Sequence, residues 1–326
     1  MMEGRDGDGR QAPGLAAMLD DRRLIRLAGR DVRDFLQRII TQDVAALAPA
    51  RAVPAALLTP QGKLLHLFLL TALPDGGVLL ETSAEEERDL LRLLTLYRLR
   101  ADVAITPLEK GRVFAADARP LEASDAAAAA DGVIHAADAR APDLLARLYL
   151  LPDAPADAAP SAADGDGAAR YAHARAREGL PEGPAELPPG RLFALEADLD
   201  LMGAVSFTKG CFVGQEVTTR SYRRGRVKKR LVPFVVAAGA GPAAGAALAR
   251  AGETVAHVVA PVRHGIGWAL ARLEALEEAL AEGELSCEGP EGPVVLRIPA
   301  RLRKLLAKTP RPAGADGPTG RGRSEP

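Results

Sequence analysis

The chain changes texture once, near Lys228, and that change limits what it can fold into. Upstream, strand-like and helix-like segments are mixed without a regular β-α-β-α alternation, which argues for α+β over a doubly wound sheet. Downstream, short β-like runs over 230–237, 254–261, 265–272 and 294–298 are separated by Gly/Pro clusters, the pattern of a small antiparallel barrel. An Ala/Glu/Leu insertion over 273–281 predicts a short helix inside it. The expected division is a disordered tail over 1–14, an α+β unit of two subdomains over 15–227, a barrel domain over 228–308, and a disordered tail over 309–326.

Local patterns fill in the first unit. Leu24-Ile25-Arg26-Leu27 predicts a strand, and Asp31 is placed to cap a helix with Val32, Phe35, Leu36, Ile39 and Ile40 at helical spacing. Strands over 55–58 and 64–73 flank Pro60-Gln61-Gly62-Lys63, a hairpin signal. After a strand over 78–82, Ser83 and Glu86 form a capping-box pattern ahead of a helix to about Tyr97. Its apolar stripe is Leu90, Leu91, Leu94 and Tyr97. Strands follow over 103–105, 112–116, 132–136 and 147–151, then a Pro/Ala/Asp/Gly stretch over 152–167 that reads as a flexible loop. A helix over 168–178 stops at Gly179.

Charge and cysteine content exclude several functions. Lys plus Arg is 42 and Asp plus Glu is 43, a net charge of −1, so a globally basic nucleic-acid binder is excluded. Two cysteines, Cys211 and Cys287, make no disulfide framework and match no zinc spacing. Cys287 lies in a Gly/Pro-rich loop and is expected to be incidental, and the five histidines lack tight metal spacing. With no apolar run of about 18 residues and no targeting pattern, the expectation is a soluble cytoplasmic protein with no membrane partner.

The most informative stretch is 207–230, FTKGCFVGQEVTTRSYRRGRVKKR. Lys209-Gly210-Cys211 precedes a turn at Gly214, and Gln215 to Tyr222 predicts a helix. A cysteine ahead of a helix N-terminus, beside a lysine, sits in a positive field that favours thiolate. Texture alone gives the other reading, a small buried hydrophobe beside Phe212 and Val213. Residues 220–230 hold seven basic side chains in eleven, which reads as a solvated face or as an anion-binding run. No aromatic beyond Tyr222 is interleaved, so direct nucleic-acid binding has no strong support.

Lys-Gly-Cys-Phe-x-Gly-Gln-Glu resembles the signature of the YgfZ-type folate-binding proteins, relatives of the aminomethyltransferase (T protein) of the glycine cleavage system. Other segments agree in order. They are Phe35-Leu36-Gln37 with Ile40-Thr41-Gln42-Asp43, Thr59-Pro60-Gln61-Gly62-Lys63, Tyr97-Arg98-Leu99-Arg100, Gly179-Leu180-Pro181-Glu182-Gly183, Leu195-Glu196-Ala197-Asp198, and Tyr222-Arg223-Arg224-Gly225. The resemblance runs from about Leu15 to Arg272 and is nearest the subgroup holding mitochondrial iron–sulfur assembly factors. It implies a ring of α+β subdomains with a C-terminal barrel and a central tetrahydrofolate. It also implies an accessory role for iron–sulfur enzymes, including those that modify tRNA, with those proteins or their assembly machinery as partners.

Residue by residue, the resemblance implies that Tyr171 stacks on the pterin and that Arg22 meets the folate. Glu196 would accept from the pterin's N–H edge. Gly214, Gln215, Glu216 and Arg98 belong to the same expected binding set, and Arg223 to capture of a polyglutamate tail. Cys211 would act near the pocket with Lys209 tuning its charge. Gln42 and Asp43 read either as ligand contacts or as a local cap. Two departures stand out: Arg38 replaces a frequent glycine, and His66-Leu67 stand where aminomethyltransferases carry an acidic pair. Without that carboxylate, aminomethyl transfer lacks its base. A folate-dependent one-carbon transferase and a non-catalytic adaptor are therefore the alternatives to a folate-dependent assembly factor, and whether any reaction is catalysed stays open.

Overall fold

A computed structural model describes residues 15–118, 131–160, 166–225, 227–236, 239 and 241–307. The expected tails over 1–14 and 309–326 lie outside these residues. Nine strands of the first unit form one sheet: β1 (Ala16–Met18), β2 (Arg22–Ala28), β3 (Arg51–Leu58), β4 (Leu64–Ala72), β5 (Val78–Ser83), β6 (Ala104–Pro107), β7 (Arg112–Asp117), β8 (Val133–Asp138) and β9 (Leu145–Leu150). Their spatial order is β1-β7-β9-β8-β3-β4-β5-β2-β6. The two halves of this sheet meet only where β3 pairs in parallel with β8, at Arg51 with Ala137 and Ala52 with Asp138.

The central strands are apolar on both faces. Along β4, Leu67 and Leu69 enter one core while Phe68 and Leu70 enter the other, as the two-residue period of a strand requires. Helices α1 (Val32–Ile39) and α2 (Glu87–Arg98) cover one face with Phe35, Leu36, Ile39, Leu90 and Leu94. The other face is covered by α3 (Gly167–Arg177), by the segment after the short α4 (Gly183–Glu186), and by part of the barrel. The signature helix, α5, spans Gln215–Arg223.

The barrel closes through six strands: β10 (Lys229–Val236), β11 (Ala247–Arg250), β12 (Glu253–Arg263), β13 (Ile266–Arg272), β14 (Glu284–Gly289) and β15 (Gly292–Arg297). Helix α6 (Leu273–Glu278) is the expected insertion, and α7 (Ala300–Leu306) follows the last strand. Leu231, Ala260 and Trp268 of the barrel pack into the sheet's own core, so the two parts share hydrophobic interior.

Several local expectations are corrected. Asp31 makes no side-chain cap on α1; its carboxylate accepts from the Asp102 N–H at 2.9 Å and joins the helix entrance to the chain before β6. The Ser83/Glu86 capping box does not form, because Glu86 itself occupies the cap position and its side chain is buried toward His66. The flexible loop expected over 152–167 is packed where it is described. Ala154, Ala158 and Ala159 lie against Phe114, Leu148 and Leu150 around a single 3-10 turn, while 161–165 fall outside the described residues. Cys287 is not in a loop: it is buried in β14, and burial pushes its thiol up to about 11.

Candidate functional site

The signature segment is held by the hairpin and by the end of α1. Gly214 has φ +81°, and a Cβ there would lie 2.6 Å from the Thr59 carbonyl oxygen. Across the contact, Gly62 has φ +80°, and a Cβ there would meet Val217 at 3.2 Å and Thr218 at 3.3 Å. Two glycines thus let the β3–β4 turn and the N-terminus of α5 approach backbone to backbone. The Thr218 hydroxyl donates to the Gly214 carbonyl at 3.0 Å and closes the first turn of α5.

Lys209 does not serve Cys211. Its ammonium donates to the carbonyls of Gln37 at 2.7 Å, Ile40 at 2.8 Å and Gln42 at 2.9 Å, which are the open acceptors at the C-terminus of α1. Burial lowers its pKa to about 8, a shift that Asp43 partly opposes. The same ammonium lies 5.3 Å from the Phe212 ring centroid. Gln42 and Asp43 take the local role: Gln42 donates to the Pro54 and Gly203 carbonyls, and Asp43 caps the following 3-10 turn through the Ala45 N–H at 3.0 Å.

Between the buried Lys209 and Phe212, Cys211 is exposed and free. The buried-hydrophobe reading of this cysteine is therefore wrong, because the anchoring is done by its neighbours. The thiol stands four residues ahead of Gln215, whose N–H bonds the Phe212 carbonyl at 3.2 Å. Beyond it, Phe207 and Tyr222 stack at 3.8 Å with planes 13° apart, and Tyr222 stays exposed. Gln215, Glu216 and Arg223 line a shallow groove of about 480 Å³ along α5, and Glu216 pairs with Arg220.

Tyr171 and Arg22 meet elsewhere, in a buried network of four arginines and four carboxylates. Arg22 Nε donates to Glu81 at 2.8 Å, and Arg147 Nε donates to the other oxygen of Glu81 at 3.0 Å. Arg147 also reaches Glu182 at 2.8 Å and Asp138 at 3.2 Å. Arg140 pairs with Asp138 at 2.6 Å and also with Glu182, and Arg175 pairs with Glu186 at 2.9 Å. The Tyr171 hydroxyl donates to Glu182 at 2.8 Å and accepts from Arg147 at 2.5 Å. Its ring lies 5.2 Å from both the Arg147 and the Arg175 guanidinium. Burial alone would raise the Glu182 pKa, but Arg140, Arg147 and Arg175 outweigh it and hold the carboxyl well below its ordinary range. Burial also pushes the Tyr171 hydroxyl upward, so it stays protonated as a donor.

A cleft of about 350 Å³ opens beside this network, with Tyr171, Arg175, Glu182, Glu186 and Trp268 in its walls and Asp20 and Asp21 at one side. Its lining shares no residue with the α5 groove. The residues expected to grip folate are thus dispersed. Tyr171 alone of them lines the cleft, with its hydroxyl engaged inward, and Arg22 lies outside the lining with its Nε donating to Glu81. Glu196 accepts from the Phe193 N–H at 3.0 Å, and Arg98 donates to the Val103 carbonyl at 3.3 Å. Gln215, Glu216 and Arg223 belong to α5, and Gly214 stands at its N-cap.

Sequence reasoning missed two clusters. His66 is buried, with Nε2 3.0 Å from Asp89 and Nδ1 3.3 Å from Glu86, so the position of the aminomethyltransferases' acidic pair is closed by a histidine between two carboxylates. Arg230, at the start of the barrel, donates to Asp198 at 3.0 Å, to Asp200 at 2.6 Å and to the Leu195 carbonyl at 2.5 Å. No spacing links either set, and only the basic residue directly after Lys228-Lys229 hinted at the second. Among the described residues, no group of three or more His, Cys, Asp or Glu is arranged to hold a metal ion. No described helix is long and apolar enough to cross a membrane.

No family model matches the chain. It is 34% identical over 229 residues to the mitochondrial iron–sulfur cluster assembly factor IBA57 of Homo sapiens, covering 66% of this chain and 64% of that protein. To the mitochondrial IBA57 of Mus musculus it is 32% identical over 284 residues, covering 80% and 78%. To the mitochondrial IBA57 homolog of Coccidioides immitis (strain RS) it is 34% identical over 235 residues, covering 66% and 55%. The aligned part thus spans a little over half of the fungal relative and just under two thirds of the human one. Among solved structures, the glycine cleavage system aminomethyltransferase T from Bartonella henselae superposes with a TM-score of 0.62 at 16% identity, covering 88% of this chain and 85% of that one, a likeness of fold.

Proposed function

The chain belongs to the family of the IBA57 iron–sulfur cluster assembly factors, and from that premise we propose that it assists iron–sulfur cluster assembly, with Cys211 as the thiol that meets the cluster or its carrier. The carrying observation is the exposed, unpaired Cys211 projected from a loop whose two flanking side chains, Lys209 and Phe212, are buried. Such a loop presents one soft ligand in a fixed place. One thiol cannot satisfy a cluster that takes about four, so the remaining ligands come from the protein that delivers or receives it. The partners in this reading are iron–sulfur proteins or their assembly machinery, with tRNA-modifying enzymes among the clients. The relatives named above are mitochondrial; for this chain we retain a cytoplasmic, reducing compartment, which its two free cysteines suit.

Tetrahydrofolate belongs to the same proposal as a ligand of the 350 Å³ cleft, not of α5. The cleft offers Tyr171 and Trp268 as walls, but the buried Glu182 carboxylate is already answered by Arg140, Arg147 and Tyr171. Glu186 is likewise held by Arg175, so the pterin edge is left to Asp20 and Asp21. We favour assembly over aminomethyl transfer because His66, closed between Glu86 and Asp89, leaves no free base at that position.

Replacing Cys211 by serine in cells that depend on this chain is expected to abolish the activity of a [4Fe–4S] reporter enzyme while the protein remains folded and abundant. Full reporter activity in the Cys211→Ser strain would remove the thiol from the mechanism. Calorimetric titration of the whole chain with tetrahydrofolate tests the cleft, and absence of saturable heat would remove folate from the reading.

A further inference from the structure

We infer that the groove along α5 docks an acidic stretch of the protein that exchanges the cluster with Cys211, an inference that rests on the assembly reading above. Glu216, Thr219, Arg220, Arg223 and Arg224 line it at i, i+3, i+4, i+7 and i+8, one face of the helix. Glu216 is answered by Arg220. Arg223 and Arg224 are exposed and meet no carboxylate among the described residues. Two guanidinium forks therefore stand open side by side, a geometry suited to bidentate capture of carboxylates.

The place of the groove points the same way. Gln215, where the groove begins, is tied through its N–H to the Phe212 carbonyl, next to the exposed thiol. The groove's length, from Gln215 to Arg224, is about 13 Å at the rise of an α-helix, which an extended peptide of about four residues spans.

Carboxylates fit this surface better than phosphates do. No aromatic side chain lines the groove to receive a base, and Tyr222, just outside it, already stacks on Phe207. With Arg220 spent on Glu216, only the two guanidinium groups of Arg223 and Arg224 stand open, a charge that matches a short acidic segment and not a long polyanion.

The test is fluorescence anisotropy of the full chain with a labelled octapeptide of alternating glutamate and glycine, beside its glutamine counterpart and an oligouridylate of equal length. Saturable binding of the glutamate peptide is expected, weakened about tenfold or more by the double change R223E/R224E and by raised salt. R223K/R224K keeps the charge and removes the forks, so its binding should fall between the two. Unchanged peptide affinity in R223E/R224E, with the helical signal intact, would overturn the inference. So would tighter binding of the oligouridylate through the same arginines. The assembly reading fails separately: if Cys211→Ser cells keep full reporter activity while R223E/R224E still loses the peptide, the groove stands and the cluster role does not.

Discussion

Asp198, outside the arginine network, is a carboxylate held in an unfavourable setting. It is buried, it sits at φ +57°, and its Oδ2 has no partner. Burial raises its pKa from the ordinary 3.8 to about 7 in spite of Arg230 beside it. The folded state therefore holds a proton that the unfolded chain gives up, and folding gains from that proton at low pH. The gain is complete below about 4 and is lost as pH rises through about 7. Asparagine keeps the shape, tolerates the left-handed backbone and carries no proton to lose. Asp198→Asn should therefore match the parent near pH 4 and become the more stable of the two as pH rises to 8, by urea denaturation at each pH. A constant gap between the two proteins across that range would show that Asp198 does not titrate there. Lys209 shows the same dependence of role on surroundings. Its sequence neighbours suggested a charge beside a thiol, yet its partners lie 167 to 172 residues away on another element. Nothing local in Lys-Gly-Cys-Phe carries that information.

At the scale of elements, the junction of the β3–β4 hairpin with α5 decides where the thiol stands. Gly214→Ala would place a methyl 2.6 Å from the Thr59 oxygen at a φ that alanine rarely adopts. The expected cost is about 2–4 kcal/mol, read as a lower urea midpoint, together with faster labelling of Cys211 as its loop comes loose. Labelling at the parent rate in a destabilised variant would separate the thiol's placement from this contact. This junction is also where the sequence was most legible. The hairpin, α1, the stop at Gly179 and the main barrel strands follow from period and turn chemistry, which are local. The strands that escaped notice, β1, β11 and β14, are short or built of small and alternating exposed residues. The capping box at Ser83 failed for a tertiary reason, because Glu86 is drawn inward to His66. Tyr171 and Arg22, singled out as folate contacts, meet in the arginine network. Their partners Glu81, Asp138, Arg147 and Glu182 come from four distant segments, so the network itself was invisible.

For the whole molecule, the question is whether the barrel is an appendage or part of one cooperative unit. Its Trp268, the chain's single tryptophan, is buried in the core it shares with the nine-stranded sheet. Polar attachment is concentrated at Arg230, which ties the first barrel strand to Asp198, Asp200 and the Leu195 carbonyl, and the Leu231 N–H adds a bond to the Glu196 carbonyl at 2.8 Å. A buried pair of this kind adds little over a well-packed apolar one, but removing one partner leaves the other charged and dry. Arg230→Met leaves Asp200 without its cation and Asp198 and the Leu195 carbonyl without their donor, and should cost about 3–5 kcal/mol. The loss falls on the docking of the barrel, not on either core. In the parent, Trp268 fluorescence and far-ultraviolet circular dichroism should report one coincident urea transition. In the variant the fluorescence should move first, as the tryptophan leaves the shared core while the nine-stranded sheet persists. Coincident transitions in both proteins would mean that apolar contact through Leu231, Ala260 and Trp268 binds the barrel without help from the ion pairs. The barrel would then be inseparable from the α+β unit that carries Cys211.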